Sequence, residues 1–132
     1  MGPRLLQAAK AARRRAHAPY SKFKVGAAIL ADDGKVYAGC NVENAAYPEG
    51  VCAETSAISA MVLAGGRRIK EILVIGSAAE VTPCGGCRQR IREFSDPDTR
   101  IHLCAGGKRV ASLGLEELLP RSFGPTSLGR RK

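Results

Sequence analysis

The stretch from Ile69 to Ser77 constrains this chain more than any other. It is rich in Ile and Val and lies between Gly65-Gly66 and Pro83, the pattern of a central strand buried on both faces. The segments on either side read as helices. Residues 52–64 form one, stopped by Gly65-Gly66, and Pro83 opens another over roughly 84–95 that ends near Asp96-Pro97. A strand buried on both faces needs a layer on each side, so the rest of the chain must supply sheet neighbours and covering helices.

The remaining segments can do so. Leu5, Leu6, Ala9, Ala12 and Ala16 recur at helical spacing, which predicts an amphipathic helix over 3–16, broken at Ala18-Pro19-Tyr20-Ser21. Residues 23–31 and 35–41 read as two strands joined through the hairpin signal Asp32-Asp33-Gly34. Asn44 to Gly50 is a loop, Arg100 to Ala105 and Val110 to Ser112 are short strands, and Leu115 to Leu119 is a last short helix. A hairpin feeding alternating helices and strands predicts an α/β fold: three α/β/α layers around a mixed five-stranded sheet. With 132 residues and 45% hydrophobic content, the chain suits one domain over 1–132, with 125–132 as a flexible basic tail.

Composition narrows the function classes. No apolar run approaches a membrane-spanning length, so no membrane association is expected. Five cysteines, an odd number, and no secretory-type leader argue against a disulfide framework and for a cytoplasmic location. The formal charge is +9, and seven of the basic residues fall within residues 1–24. That stretch loosely resembles a transit peptide, but it holds one Ser and runs straight into strand-like sequence, so it reads as the first helix of the domain. The remainder is nearly balanced, with 14 basic residues against 12 acidic. No aromatic residues interleave with the basic ones of residues 1–17 to stack on bases, so a solvated helix face is expected rather than nucleic-acid binding.

The chemistry lies in two clusters, Cys52-Ala53-Glu54 and Pro83-Cys84-Gly85-Gly86-Cys87, each at an expected helix start. Cys84 and Cys87 are one turn apart and can face one ion. A helix N-terminus favours the thiolate that a metal requires. With Cys52 they make three corners of a tetrahedral zinc site, leaving the fourth open for water, as a catalytic site requires. Glu54, two positions from Cys52, is placed to flank the ion rather than bind it, and can move protons to and from that water.

This pattern of Cys-x-Glu followed by Pro-Cys-x-x-Cys is the signature of zinc deaminases. The chain resembles the cytidine deaminase family in its small, homotetrameric, three-cysteine form. The resemblance runs through Ala18 to Phe23, Val25 to Ala28, Gly39 to Tyr47, Cys87-Arg88-Gln89, Glu116 to Pro120 and Phe123. It implies a cytidine-deaminase-like fold with one Zn2+ per subunit. It also implies hydrolytic conversion of cytidine and deoxycytidine to uridine and deoxyuridine in pyrimidine salvage. Asn41 and Glu43 would hydrogen-bond the ribose 3′-hydroxyl, and Phe23 and Phe123 would pack on the pyrimidine, Phe123 from a neighbouring subunit. Ala45 and Tyr47 would also approach from a neighbour, and Ala53 completes the substrate-binding set. The active sites would then be composite. Glu54 would take a proton from water and deliver it to N3, the water oxygen would add to C4, and ammonia would leave.

One position departs from the family. Many small members carry Arg after the motif Glu, where this chain has Thr55. That Arg offsets the net negative charge of zinc with three thiolates. Thr55 offers only a neutral hydrogen bond, so Arg88, which lies beside Cys87 and matches a second arginine of the family, is expected to carry more of the compensation.

Other readings compete. Cys84 and Cys87 could be half of a structural zinc site, or a redox pair that leaves Cys52-x-Glu54 without a purpose. Cys40 and Cys104 read as core thiols, and His17 and His102 as structural residues. The chain could be a related small-molecule aminohydrolase such as a blasticidin S deaminase, a polynucleotide cytosine deaminase, or a non-catalytic zinc-stabilised nucleic-acid-binding module. A grip on a free 3′-hydroxyl by Asn41 and Glu43 argues against a polynucleotide, where phosphate blocks that group.

Overall fold

The computed structural model describes residues 3–77 and 79–129. The Ile- and Val-rich run forms a strand over Ile69–Ile75 at the centre of one five-stranded sheet. The strands are β1 (Gly26–Ala31), β2 (Val36–Cys40), β3 (Ile69–Ile75), β4 (Ser95–Ala105) and β5 (Lys108–Gly114), in spatial order β2-β1-β3-β4-β5. Only the β3–β4 pair is parallel. The helices are α1 (Pro3–Arg14), α2 (Ala53–Leu63), α3 (Gly85–Glu93) and α4 (Leu115–Leu118), with 3₁₀ turns at Tyr47–Glu49 and Pro125–Leu128.

Strand alternation divides the core into two halves. Ala27, Ile29, Ile72, Val74, Ile101 and Leu103 face α2 and α3, where Ala57, Met61 and Ile91 close the packing. Ala28, Leu73, Ile75 and Cys104 face α1 and meet Leu5 and Ala9. The sheet is therefore sandwiched between helical layers, the three-layer α/β/α arrangement and mixed five-stranded sheet that the element order predicted. No helix among the described residues is long and apolar enough to cross a membrane.

Three boundaries differ from expectation, each for a local reason. β1 begins at Gly26 rather than at residue 23. The Asn41 side chain accepts from the Val25 N–H and donates to the Phe23 carbonyl, each at 2.8 Å, so a side chain takes partners that a strand ladder would have used. β4 begins at Ser95, not at Arg100. Its register on β3 jumps from Ile69↔Ser95 to Glu71↔Arg100, and the intervening bulge holds Pro97, which has no N–H for a ladder. Thr99 ties that bulge down by donating to the Ile69 carbonyl at 2.6 Å and accepting from the Asp96 N–H at 2.9 Å. β5 is longer than residues 110–112, because Gly106, at φ +62°, lets the chain fold back immediately after β4. The stretch expected as a basic tail begins with the 3₁₀ turn Pro125–Leu128, and Arg130, Arg131 and Lys132 lie outside the described residues.

Gly39 sets how closely α2 can approach the sheet. A Cβ at that position would lie 2.4 Å from the Ala57 amide nitrogen and 2.7 Å from the Ala53 carbonyl oxygen, both backbone atoms of α2. Backbone cannot give way as a flexible side chain can, so Gly39→Ala is expected to lower stability by about 1–3 kcal/mol through overpacking. Thermal unfolding followed by circular dichroism checks this, and an unchanged Tm would contradict the packing argument.

Candidate metal centre and active site

Two helices begin side by side, and each begins at a cysteine. Cys52 is the N-cap of α2 and Cys84 the N-cap of α3, both with extended backbone. Cys87 lies one turn into α3 and is fully buried. The three Sγ atoms all lie within 4.8 Å of one another, and they form the only such cluster of metal-ligating side chains among the described residues. A tetrahedron with Zn–S bonds of about 2.3 Å has an edge of roughly 3.8 Å, so three thiolates in this arrangement fit zinc after a small contraction. Burial pushes the Cys52 and Cys87 thiols up, whereas the Cys87 backbone N–H holds Cys84 down. A soft divalent cation supplies the charge that lets all three ionise together.

Glu54 stands in the first turn of α2 and is buried, at 4% exposure. Burial pushes its carboxyl up, while its own backbone N–H, the Cys87 thiol and, to a smaller extent, the positive charge of Arg90 pull it the other way. Thr55 reaches the same cluster, with its Oγ1 3.8 Å from Cys87 Sγ. Arg88 does not reach it. Its Nε donates to the Pro83 carbonyl at 2.8 Å and its Nη1 to the Leu118 carbonyl at 2.7 Å. The expectation that Arg88 neutralises the thiolates is therefore corrected. As the residue next to Cys87, Arg88 points off that residue's face of α3, whereas Arg90, three residues on, shares it. Arg90 Nη1 donates to Cys87 Sγ at 3.9 Å.

Cys52 also opens onto a cavity of about 510 Å3 lined by Tyr20, Ser21, Asn41, Glu43 and Tyr47 among others. Two side chains brace its wall. Asn41 holds the Phe23–Val25 backbone as described, and Glu43 Oε1 accepts from the N–H groups of Tyr20 at 3.0 Å and Ser21 at 3.1 Å. Glu43 Oε2 accepts from the Ser21 hydroxyl. The backbone of His17 straps the same segment, its N–H donating to the Asn41 carbonyl at 3.0 Å and its carbonyl accepting from the Glu43 N–H at 2.8 Å.

The family model for the cytidine and deoxycytidylate deaminase zinc-binding region matches residues 3–103. The chain belongs to the cytidine deaminase family. It is 40% identical over 126 residues to a cytidine deaminase of Sporosarcina psychrophila, covering 95% of this chain and 93% of that one. The crystal structure of cytidine deaminase from Burkholderia pseudomallei superposes with a TM-score of 0.84 at 43% identity, covering 93% of this chain and 100% of that one. That of the Mycobacterium tuberculosis cytidine deaminase gives a TM-score of 0.78 at 36% identity, covering 92% and 95% respectively.

Within this cytidine deaminase chain, the remaining candidate residues separate into two groups. Ala53 is buried between Cys52 and Glu54, and Tyr47 lines the cavity with its ring edge-on to Tyr20 at 6.3 Å between centroids. Phe23, Ala45 and Phe123 do not line that cavity, and all three are exposed. Phe123 instead lines a separate hollow with Arg67, Gln89 and Phe94, and its carbonyl accepts from Gln89 Nε2 at 2.8 Å. Reading the sequence missed Arg90 and Ser21. The i, i+3 spacing from Cys87 could have flagged Arg90, whereas the pairing of Ser21 with Glu43 spans 22 residues and has no local signal. Cys104 is buried as expected of a core thiol, whereas Cys40 is half-buried on the outer strand β2. His102 is buried with its Nε2 2.7 Å from Glu71 Oε1, a structural placement.

The Ser21 hydroxyl is the first cause holding the Glu43 carboxyl below the usual glutamate value of 4.5, followed by the Ser21 N–H. A depressed folded-state pKa contributes stability above the unfolded-state value, and that contribution is lost as pH falls through the folded value. Ser21→Ala is thus expected to raise the Glu43 pKa toward the ordinary value and narrow the acid range over which the loop stays braced. Carboxyl-carbon NMR titration reads the shift directly, and an unmoved Glu43 would contradict the bracing role.

Proposed function

We propose that this chain is a zinc-dependent hydrolase that converts cytidine and deoxycytidine to uridine and deoxyuridine with release of ammonia. The observation that carries this reading is the buried carboxyl of Glu54 beside three converging thiols, one of which, Cys52, opens onto a cavity walled by Asn41 and Glu43. Cys52, Cys84 and Cys87 would hold zinc, which when bound would supply an acidified water, nucleophilic at neutral pH. Glu54 takes the first proton of that water and passes it to N3 of the pyrimidine, while the water oxygen bonds to C4. Glu54 then moves the second proton to the C4 amino group. The C4–N4 bond breaks, ammonia leaves, and the C4–O bond becomes the carbonyl of uridine. The raised pKa that burial gives Glu54 suits a group that must hold a proton between these two transfers.

Asn41 and Glu43 are assigned to the 3′-hydroxyl of the sugar. Their existing hydrogen bonds fix their orientation, and each still has lone pairs or protons free for a ligand. Phe23 is assigned to the pyrimidine ring, with Ala53 beside it. Phe123, Ala45 and Tyr47 are assigned to the site of a neighbouring copy in a homotetramer with composite active sites. The exposure of Phe123 and Tyr47, 61% and 77%, supports that assignment, since large aromatic side chains so exposed in one chain fit burial in an assembly. The whole chain acts as one domain, in the cytoplasm, in pyrimidine salvage.

Glu54→Gln keeps the shape of the side chain and removes its proton-transfer capacity. It is expected to lower turnover of cytidine by about 10²–10⁴-fold, with zinc content and thermal stability retained. Loss of cytidine absorbance measures the rate, and near-native turnover would sink the scheme. Running the assay with blasticidin S in competition separates a nucleoside enzyme from an antibiotic-directed one. Cytidine turned over faster is the result expected here.

A further inference from the structure

One divalent ion with three thiolates carries a net negative charge. Cys84 is exposed and Cys52 half-buried, but Cys87 is fully buried and Glu54 is 4% exposed, so on the Cys87 side water screens that charge poorly. Something in the protein has to offset it. The Thr55 hydroxyl, 3.8 Å from Cys87 Sγ, is neutral and contributes a dipole only. The Arg88 guanidinium is occupied by the Pro83 and Leu118 carbonyls, at 2.8 and 2.7 Å, where it holds the start of α3 to the end of α4. The N-terminus of α3 adds a partial positive charge but no mobile donor. Arg90 differs from all of these. It is exposed along its own stem, stands one turn after Cys87, and brings a full charge to the sulfur with Nη1 at 3.9 Å. Gly86 leaves room for this path, because a Cβ there would lie 3.3 Å from Arg90 Nη1 and crowd the guanidinium.

We propose that Arg90 is the positioning residue that compensates the charge of the metal centre, reaching Cys87 along α3 past Gly86 while position 55 on α2 contributes only a hydroxyl. The inference rests on zinc being held by the three cysteines. Arg90 does not touch substrate. It acts through the Cys87 thiolate, drawing electron density from the sulfur and so leaving the bound metal a stronger Lewis acid. The charge is thus supplied from the helix that carries two of the thiolates rather than from the helix that carries Glu54.

The test compares the full-length protein with Arg90→Gln and Arg90→Lys. Zinc affinity is measured by competition with a chromophoric chelator, and the thiolate-to-metal charge-transfer band is recorded after cobalt substitution. Arg90→Gln is expected to weaken zinc binding about tenfold, within the range for residues that support metal ligands, and to move the cobalt band to longer wavelength. Arg90→Lys keeps the charge and is expected to stay within about threefold of the unaltered protein. Equal affinities and bands for all three proteins, or equal losses in the Lys and Gln variants, would overturn the proposal. An unaltered protein that binds no zinc would instead overturn the metal assignment itself, and this outcome is distinct from the other two. Arg90 is exposed on α3, so neither variant removes core packing.

Discussion

The approach of α2 to β2 is the contact on which the rest of this structure depends. Gly39 lets two backbones meet at a distance no side chain would permit, and this sets the height of α2 above the sheet. That height determines where Cys52, Glu54 and Thr55 project. The partner helix α3 is set independently, by burial of Ile91 and by the Arg88 bridge from Pro83 to Leu118. Two separately anchored helix starts thus bring three sulfur atoms within 4.8 Å of one another. A metal centre assembled from two elements needs both anchors, because a shift of either one opens the triangle.

The same placement creates an electrostatic problem. Helix N-termini stabilise thiolates singly, but burial raises the Cys52 and Cys87 thiols, and repulsion from the neighbouring Glu54 charge raises them further. A divalent cation removes most of that repulsion and leaves a residual negative charge. The arrangement of α3 answers this within a single turn: Cys87 supplies the buried sulfur, Gly86 opens a path, and Arg90 uses it. Arg88 performs a mechanical task at the same helix end. Two arginines two residues apart with separate duties follow from the rotation of about 200° between them on a helix.

Much of this was legible in the chain, because the signals are local. The Ile- and Val-rich strand, the Gly65-Gly66 stop and the Cys-x-x-Cys turn each sit within about ten residues, and they fix element type, order and metal-ligand spacing. The departures came where a distant group overrode a local preference. Phe23 to Val25 reads as strand by composition, yet the Asn41 side chain, 16 to 18 residues away, takes its backbone partners. The bulge at Pro97 depends on Thr99 reaching the Ile69 carbonyl 30 residues back. Arg88 adjoins Cys87 and matches an arginine of the family, but adjacency on a helix puts side chains on different faces, and the i+3 residue shares the sulfur's face.

The basic first helix also acquires a task that needs no polyanion. Leu5 and Ala9 of α1 pack under Ala28 and Leu73, and a Cβ at Gly26 would lie 2.2 Å from the Ala9 carbonyl oxygen, so α1 is seated on the sheet as tightly as α2 is on the opposite face. The chain leaving α1 then straps the cavity wall through His17, whose backbone bonds both Asn41 and Glu43. Asn41 and Glu43 in turn hold the loop from Tyr20 to Val25. Each side chain assigned to the sugar is therefore already fixed by the chain before a ligand arrives, and little rotamer freedom remains to be lost on binding. Arg4 and Arg13 extend this seating with hydrogen bonds to the Gly34 and Lys24 carbonyls. Two of the charges that suggested a nucleic-acid surface thus help to hold the first helix against the site it supports.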